Sequence, residues 1–149
     1  MTKITFSDRY PEIKPTGKEI DTRDTYTLKQ DVTAIIDIQS VIIPSGFIFD
    51  GASVPWGLWN VFPPVDSDYL VAALLHDFLY QTEYFSRSKC DRIFYEALRA
   101  LSVGRVKASL MYLAVRIGGQ KCWNERTKYQ VMAVRKLAGI SGEERPLFL

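Results

Sequence analysis

One apolar run that carries an imidazole and a carboxylate constrains this chain more than any other feature. Leu74-Leu75-His76-Asp77-Phe78-Leu79-Tyr80 surrounds two polar side chains with large apolar ones, which predicts a helix that is buried rather than half-exposed. His76 is the only histidine in the 149 residues. A titratable ring and an acid are costly to bury without partners. The fold must therefore supply a compensation: a hydrogen-bond network, a metal ion or a catalytic duty.

The residues before this run read as β. Tyr26 and Leu28 alternate with Thr25 and Thr27, and Val32, Ala34, Ile36 and Ile38 alternate with Thr33, Asp37 and Gln39, with Ile35 the exception. A period of two marks half-buried strands. Val41-Ile42-Ile43 follows, Pro44-Ser45-Gly46 reads as a turn, and Phe47-Ile48-Phe49 is a short final strand. Residues 8–24, with Pro11, Pro15 and many charges, read as a loose lead-in.

The residues after it read as α. Ser53 is a candidate cap for a short helix with Pro55 in its first turn and Trp56, Trp59 and Phe62 along it, stopped by Pro63-Pro64. Helices are then expected from about Tyr69 to Thr82 and from Ser86 or Ser88 to about Leu101. A third opens at Ser102-Val103, buries Val106, Leu110, Leu113, Ala114 and Ile117 on one face and ends at Gly118-Gly119. A fourth covers Glu125 to Leu137. The expected fold is α+β, with an N-terminal antiparallel β-meander or small sheet packed on about four C-terminal helices. Residues 1–149 form one domain on this reading: 1–50 mainly β, 51–137 mainly α, and 138–149 a tail.

The net charge of +2 creates no field that calls for a nucleic-acid partner. Its distribution is uneven. Residues 1–102 carry 10 basic and 14 acidic side chains, whereas residues 103–149 carry 9 basic and 3 acidic, including Arg105, Lys107, Arg116, Lys121, Arg126, Lys128, Arg135 and Lys136. That segment reads either as solvated helix faces or as a surface for an acidic partner. Cys90 and Cys122 are too few for a disulfide framework, and no CxxC pair suggests zinc. No signal-peptide core or membrane-spanning run is visible, so synthesis in the cytoplasm is expected.

His76 and Tyr80, four residues apart, share one helix face, and Asp77 is turned about 100° from His76. Asp91 stands near the start of the next helix, ahead of Phe94, Tyr95 and Leu98. Antiparallel packing of the two helices brings Asp91 to His76 or Tyr80. An imidazole oriented by a carboxylate is what a general base requires. Asp77 is then free for a cation, and the segment Phe49-Asp50-Gly51-Ala52-Ser53-Val54-Pro55 offers loop carbonyls or the Asp50 carboxylate to the same hard ion.

Each of these residues has a structural alternative. Ser88-Lys89-Cys90-Asp91 fits an S-x-x-[DE] capping box, Asp50-Gly51 is a common turn pair, and His76 and Tyr80 fit as core residues with satisfied polar atoms. Trp56, Trp59 and Phe62 fit a core or a partner-facing patch. One histidine is too few for HD-type phosphohydrolases or H-E-x-x-H proteases, and no G-x-S-x-G elbow or phosphate loop is present. Cys90 paired with His76 has no local signature of a nucleophile.

The run Ile43-Pro44-Ser45-Gly46-Phe47-Ile48-Phe49-Asp50-Gly51-Ala52-Ser53-Val54-Pro55, followed by Ala73-Leu74-Leu75-His76-Asp77-Phe78-Leu79-Tyr80 and Asp91, resembles domain-of-unknown-function family 1353. The resemblance spans roughly residues 25–101 and implies an origin in tailed bacteriophages or prophages. A second likeness joins His76-Asp77-Phe78-Leu79-Tyr80 and Lys89-Cys90-Asp91-Arg92-Ile93-Phe94-Tyr95 to the H-D-x-x-Y and D-x-x-F-Y helices of bacterial secreted phospholipase A2. That likeness implies that His76 activates water, Asp91 orients it, Tyr80 bonds Asp91, and Asp77 with the Asp50 loop binds calcium. The function expected is a calcium-dependent hydrolase of an ester, lipid or cell-envelope substrate. The alternative is a non-enzymatic tail, neck or tail-tip protein that is carried in the virion among other virion proteins, where the same cluster is a structural polar network.

Overall fold

The computed structural model describes residues 1–20, 23–50, 66 and 68–140. Outside them lie the short helix expected from Ser53 with its Trp56, Trp59 and Phe62, the Gly51–Val54 part of the candidate cation loop, and the tail from residue 141. Within them the architecture is α+β. Six strands come first: β1 (Ile4–Phe6), β2 (Ile13–Ile20), β3 (Arg23–Leu28), β4 (Val32–Ile36), β5 (Gln39–Ile43) and β6 (Ile48–Phe49). Four helices follow: α1 (Leu70–Thr82), α2 (Arg87–Ala100), α3 (Arg105–Asn124) and α4 (Lys128–Leu137).

The strands form two small antiparallel sheets, ordered β1-β4-β5 and β2-β3-β6. The period of two in β4 places Val32, Ala34 and Ile36 inward and Ile35 outward. The alternation stops one residue pair earlier than the sequence suggests. Ile36 pairs with Gln39, so Asp37 and Ile38 are the hairpin turn. Asp37 takes φ +57°, and its carboxylate accepts from the Lys3 N–H at 2.8 Å, leaving Ile38 fully exposed. An Asp tolerates that conformation better than most residues, and its carboxylate ties the turn to the backbone of Lys3, 34 positions earlier.

The expected loose lead-in is instead largely strand. β2 pairs with β3 despite Pro15, with an irregularity between Pro15 and Glu19 that includes Gly17 at φ +72°. An edge strand tolerates a proline and a bulge. Its side chains are mostly exposed, so no apolar alternation marks it in the sequence.

α1 is the centre of the helical layer. Of its 13 residues all but Gln81 are buried, and it packs on α2, α4 and β6. Phe78 meets the Phe47 ring edge-on at 5.4 Å, joining this helix to the β2-β3-β6 side. The carbonyls at the C-terminal end of α1 are claimed by arginines: Arg126 donates to Tyr80 O, and Arg135 Nε donates to Thr82 O at 2.7 Å. Cations at a helix C-terminus satisfy its orphan carbonyls and oppose its negative dipole end. α4 starts at Lys128, later than Glu125, because Thr127 and Gln130 close a reciprocal capping box.

α3 departs from expectation twice. Its buried side is Ala108, Met111, Ala114, Val115 and Gly119, whereas Val106, Leu110, Leu113 and Ile117 face outward. Ala108, Ala114 and Gly119 let α3 approach its neighbours while Met111 and Val115 fill the core between them. The helix also continues through Gly118-Gly119 to Asn124. Gly119 is a close-approach residue, since a Cβ there would stand 2.7 Å from Tyr80 Oη. Gly119→Ala is therefore expected to push Tyr80 out of place and to lower the unfolding free energy by about 1–3 kcal/mol, the usual cost of overpacking, measured by chemical denaturation.

Candidate functional site

The candidate site forms where α1, α2 and α3 meet around the wholly buried Asp91 carboxylate. His76 Nε2 lies 2.9 Å from Asp91 Oδ1, and Tyr80 Oη donates to the same oxygen at 2.5 Å. Arg116 Nη1 donates to Oδ2 at 2.7 Å, and Arg87 Nη2 stands 3.9 Å from it. The i, i+4 spacing on α1 puts both His76 and Tyr80 on one carboxylate oxygen. The capping-box alternative for Asp91 fails, because α2 begins at Arg87 with Ser86 as its cap residue and the Asp91 side chain points into the interhelical core.

The electrostatics follow from burial and charge. Burial works to raise the Asp91 pKa, but bonds from His76, Tyr80 and Arg116 outweigh it and hold the acid below its ordinary value. Burial lowers the His76 pKa, and Asp91 only partly counters that, so the ring is neutral at neutral pH. An ionised carboxylate can only accept, so the proton of the neutral ring sits on Nε2 and Nδ1 keeps the lone pair. The ring lies between Tyr80 and Phe94, with centroids 4.2 and 4.8 Å away, and is only 2% exposed.

Asp77 belongs to a second cluster. Its Oδ2 accepts from the Asp50 N–H at 3.3 Å. Burial, and then the Asp50 charge, raise its pKa well above the ordinary value. The two acids line a cavity of about 580 Å³ together with Tyr80, Arg126, Tyr129 and Val134. His76 is not among the lining residues. A larger cavity of about 870 Å³ lies between α2 and the β4–β5 turn, lined by Lys89, Arg92, Ile38 and Tyr112, and none of the candidate site residues reaches it. Among the described residues no three acidic, histidine or cysteine side chains converge as a metal cluster. Two carboxylates alone are a partial set for calcium, which takes six to eight oxygens.

The sequence reading thus names His76, Tyr80 and Asp91, which meet, and Asp77 and Asp50, which meet separately. It misses Arg116, Arg87 and Arg126. Their only sequence signal is their charge, which any solvated helix also carries. Cys90 is not a partner of His76: it is wholly buried, donates to Phe85 O at 3.7 Å, and burial pushes its thiol up to about 12. Both cysteines are free.

The His76 shift has a defined stability consequence. Its folded pKa lies below the unfolded 6.5, so the contribution is complete above pH 6.5 and is lost as pH falls from 6.5 towards the folded value. Asp91 acts in the same direction at lower pH, since its contribution is present above 3.8 and is lost as pH falls through its folded value. His76→Gln is expected to flatten the pH dependence of unfolding free energy just below pH 6.5, as read from denaturant titrations. Asp91→Ala, which strands buried donors, should cost about 3–5 kcal/mol.

Comparison with known proteins places these residues in context. A relative described as "Uncharacterized protein y4jT", from Sinorhizobium fredii (strain NBRC 101917 / NGR234), is 36% identical over 87 residues. That match covers 58% of this chain and 26% of the relative, so the chain spans about a quarter of that relative's length. No solved structure matches. Among the described residues no helix is long and apolar enough to cross a membrane. The family model described as "Protein of unknown function (DUF1353)" matches residues 26–115, a span that includes Asp50, His76, Asp77, Tyr80 and Asp91. The chain therefore belongs to the DUF1353 family.

Proposed function

We propose that this is a phage-encoded, calcium-dependent hydrolase of an ester, lipid or cell-envelope substrate, made in the host cytoplasm. His76 is the general base, Asp91 orients it, and Tyr80 fixes Asp91. The observation that carries this reading is the 2.9 Å bond from His76 Nε2 to Asp91 Oδ1, which leaves Nδ1 as the proton-accepting atom of a neutral ring. The likeness of the α1 and α2 motifs to phospholipase A2 helices supports the same roles.

Asp77 and Asp50 would hold the calcium. A buried carboxylate beside a half-buried one offers hard oxygen donors that suit that ion, and a cation relieves their mutual repulsion. When bound there, calcium supplies charge stabilisation for a developing oxyanion. Without it, the raised Asp77 pKa means that stability is lost as pH rises from 3.8 through the folded value, because the folded chain holds the proton more tightly. Asp77→Asn is accordingly expected to raise the Tm at neutral pH in chelator and to abolish a Tm increase that calcium, but not magnesium, gives the native chain.

A second reading has its own support. The 2% exposure of His76, the sealed Asp91 and the outward aliphatic stripe of α3 suit a virion component that is held rigid by a polar core and docks on other virion proteins. The deciding experiment offers phospholipid vesicles, short-chain esters and cell-wall fragments with and without calcium, with products read by mass spectrometry. The hydrolase reading expects turnover that falls roughly 10²–10⁴-fold in His76→Gln at nearly unchanged Tm. No turnover on any of the three, with a Tm drop in His76→Gln, would leave the virion reading.

A further inference from the structure

The Asp91 carboxylate is held by two different kinds of partner on its two oxygens. Oδ1 takes His76 and Tyr80 from α1, and Oδ2 takes Arg116 from α3. Arg116 is the only one of these donors with substantial solvent access, its side chain being 34% exposed while Asp91 is sealed. Such exposure is expensive in geometry for a long side chain unless something holds its backbone. Arg87 does so: its Nη2 donates to Arg116 O at 2.5 Å and to Val115 O at 3.2 Å, and its Nη1 to Gln120 Oε1 at 2.8 Å. Arg87 is thus occupied in fastening α2 to α3, and stands 3.9 Å from Asp91 itself. Three residues further along α3, Gly119 lets Tyr80 Oη sit against the helix backbone. One turn of α3 therefore presents a donor to Oδ2 and a gap for the Tyr80 hydroxyl.

Resting on the hydrolase reading, we propose that Arg116 is a positioning residue that locks the rotation of the Asp91 carboxylate and thereby commits His76 to its Nε2–H tautomer. Without a bond to Oδ2 the carboxylate can swing towards Arg87, whose Nη2 stands 3.9 Å away, and leave His76, whose neutral ring then has no acceptor to hold its proton on Nε2. A charge-assisted bond from a guanidinium to Oδ2 removes that freedom. Nδ1 is then the basic atom of the ring at all times. Arg116 does not touch substrate and acts through Asp91.

The presence of one histidine makes the test unambiguous. The full chain, labelled with ¹⁵N, is measured by long-range ¹H–¹⁵N correlation at pH 7.5, with native chain, Arg116→Gln and Arg116→Lys compared. The native chain is expected to show a single Nε2–H tautomer, Arg116→Gln a resolvable second tautomer, and Arg116→Lys, which keeps the charge, the native pattern. With any substrate turned over, Arg116→Gln should lower kcat about tenfold or more at unchanged KM. A native spectrum in folded Arg116→Gln overturns the proposal, and so does an Nδ1–H tautomer in the native chain, whatever the variants do. The tautomer reading needs no substrate, so a chain that shows the expected shift but hydrolyses nothing refutes the hydrolase and not the positioning.

Discussion

A single buried carboxylate governs how the helices of this protein meet. Asp91 has no contact with water and stays ionised, so every neighbouring element must bring a donor to it. α1 brings an imidazole and a phenol one turn apart, and α3 brings a guanidinium. Breaking a buried pair leaves an uncompensated charge, which is far more costly than losing a surface ion pair. The relative rotation of α1, α2 and α3 is thereby restricted to arrangements that keep these bonds, and the apolar packing of Phe94, Tyr80 and His76 fills in around them.

Two acids only a helix apart are driven in opposite directions. Asp91 is held as an anion by its donors, while Asp77, facing Asp50 with little compensation, favours the proton. Opposed shifts in neighbouring titratable groups are a usual sign of assigned chemical roles, though buried structural networks also produce them. Here the two acids occupy different surroundings. Asp91 is sealed among helices, and Asp77 lines a cavity with Asp50 and Arg126. The proposed hydrolysis requires that the His76 ring, which does not line that cavity, and the acid pair act on one substrate.

The basic C-terminal third has an internal use that neither of its sequence readings anticipates. Arg116 neutralises Asp91, and Arg126 and Arg135 bind carbonyls at the end of α1. These contacts join residues 25 to 53 positions apart. A charge count cannot distinguish such arginines from solvated ones, because the partner is chosen by helix packing. The α3 face fails for a related reason. The heavier apolar stripe is the natural choice for a core, yet the buried side is Ala108, Met111, Ala114, Val115 and Gly119, with Gly119 set against Tyr80. β2 escapes notice because it is an edge strand with few buried side chains, and periodicity reports burial rather than hydrogen bonding.

Local pattern alone determined the α+β class, the alternation in β4, the buried α1, and the pairing of His76, Tyr80 and Asp91, whereas in β3 the expected alternation fails because Thr25 is buried and Tyr26 and Thr27 are both half-buried. Those features depend on periodicity and on the cost of leaving polar groups unpaired, both of which are carried by neighbouring residues. Tertiary structure decided which face of α3 turns inward, that Arg116 rather than a helix cap completes Asp91, and that Asp77 belongs with Asp50 in a separate cavity. These outcomes depend on distances between elements remote in the chain, set by close packing and by the pairing of buried charge, which no window of adjacent residues contains.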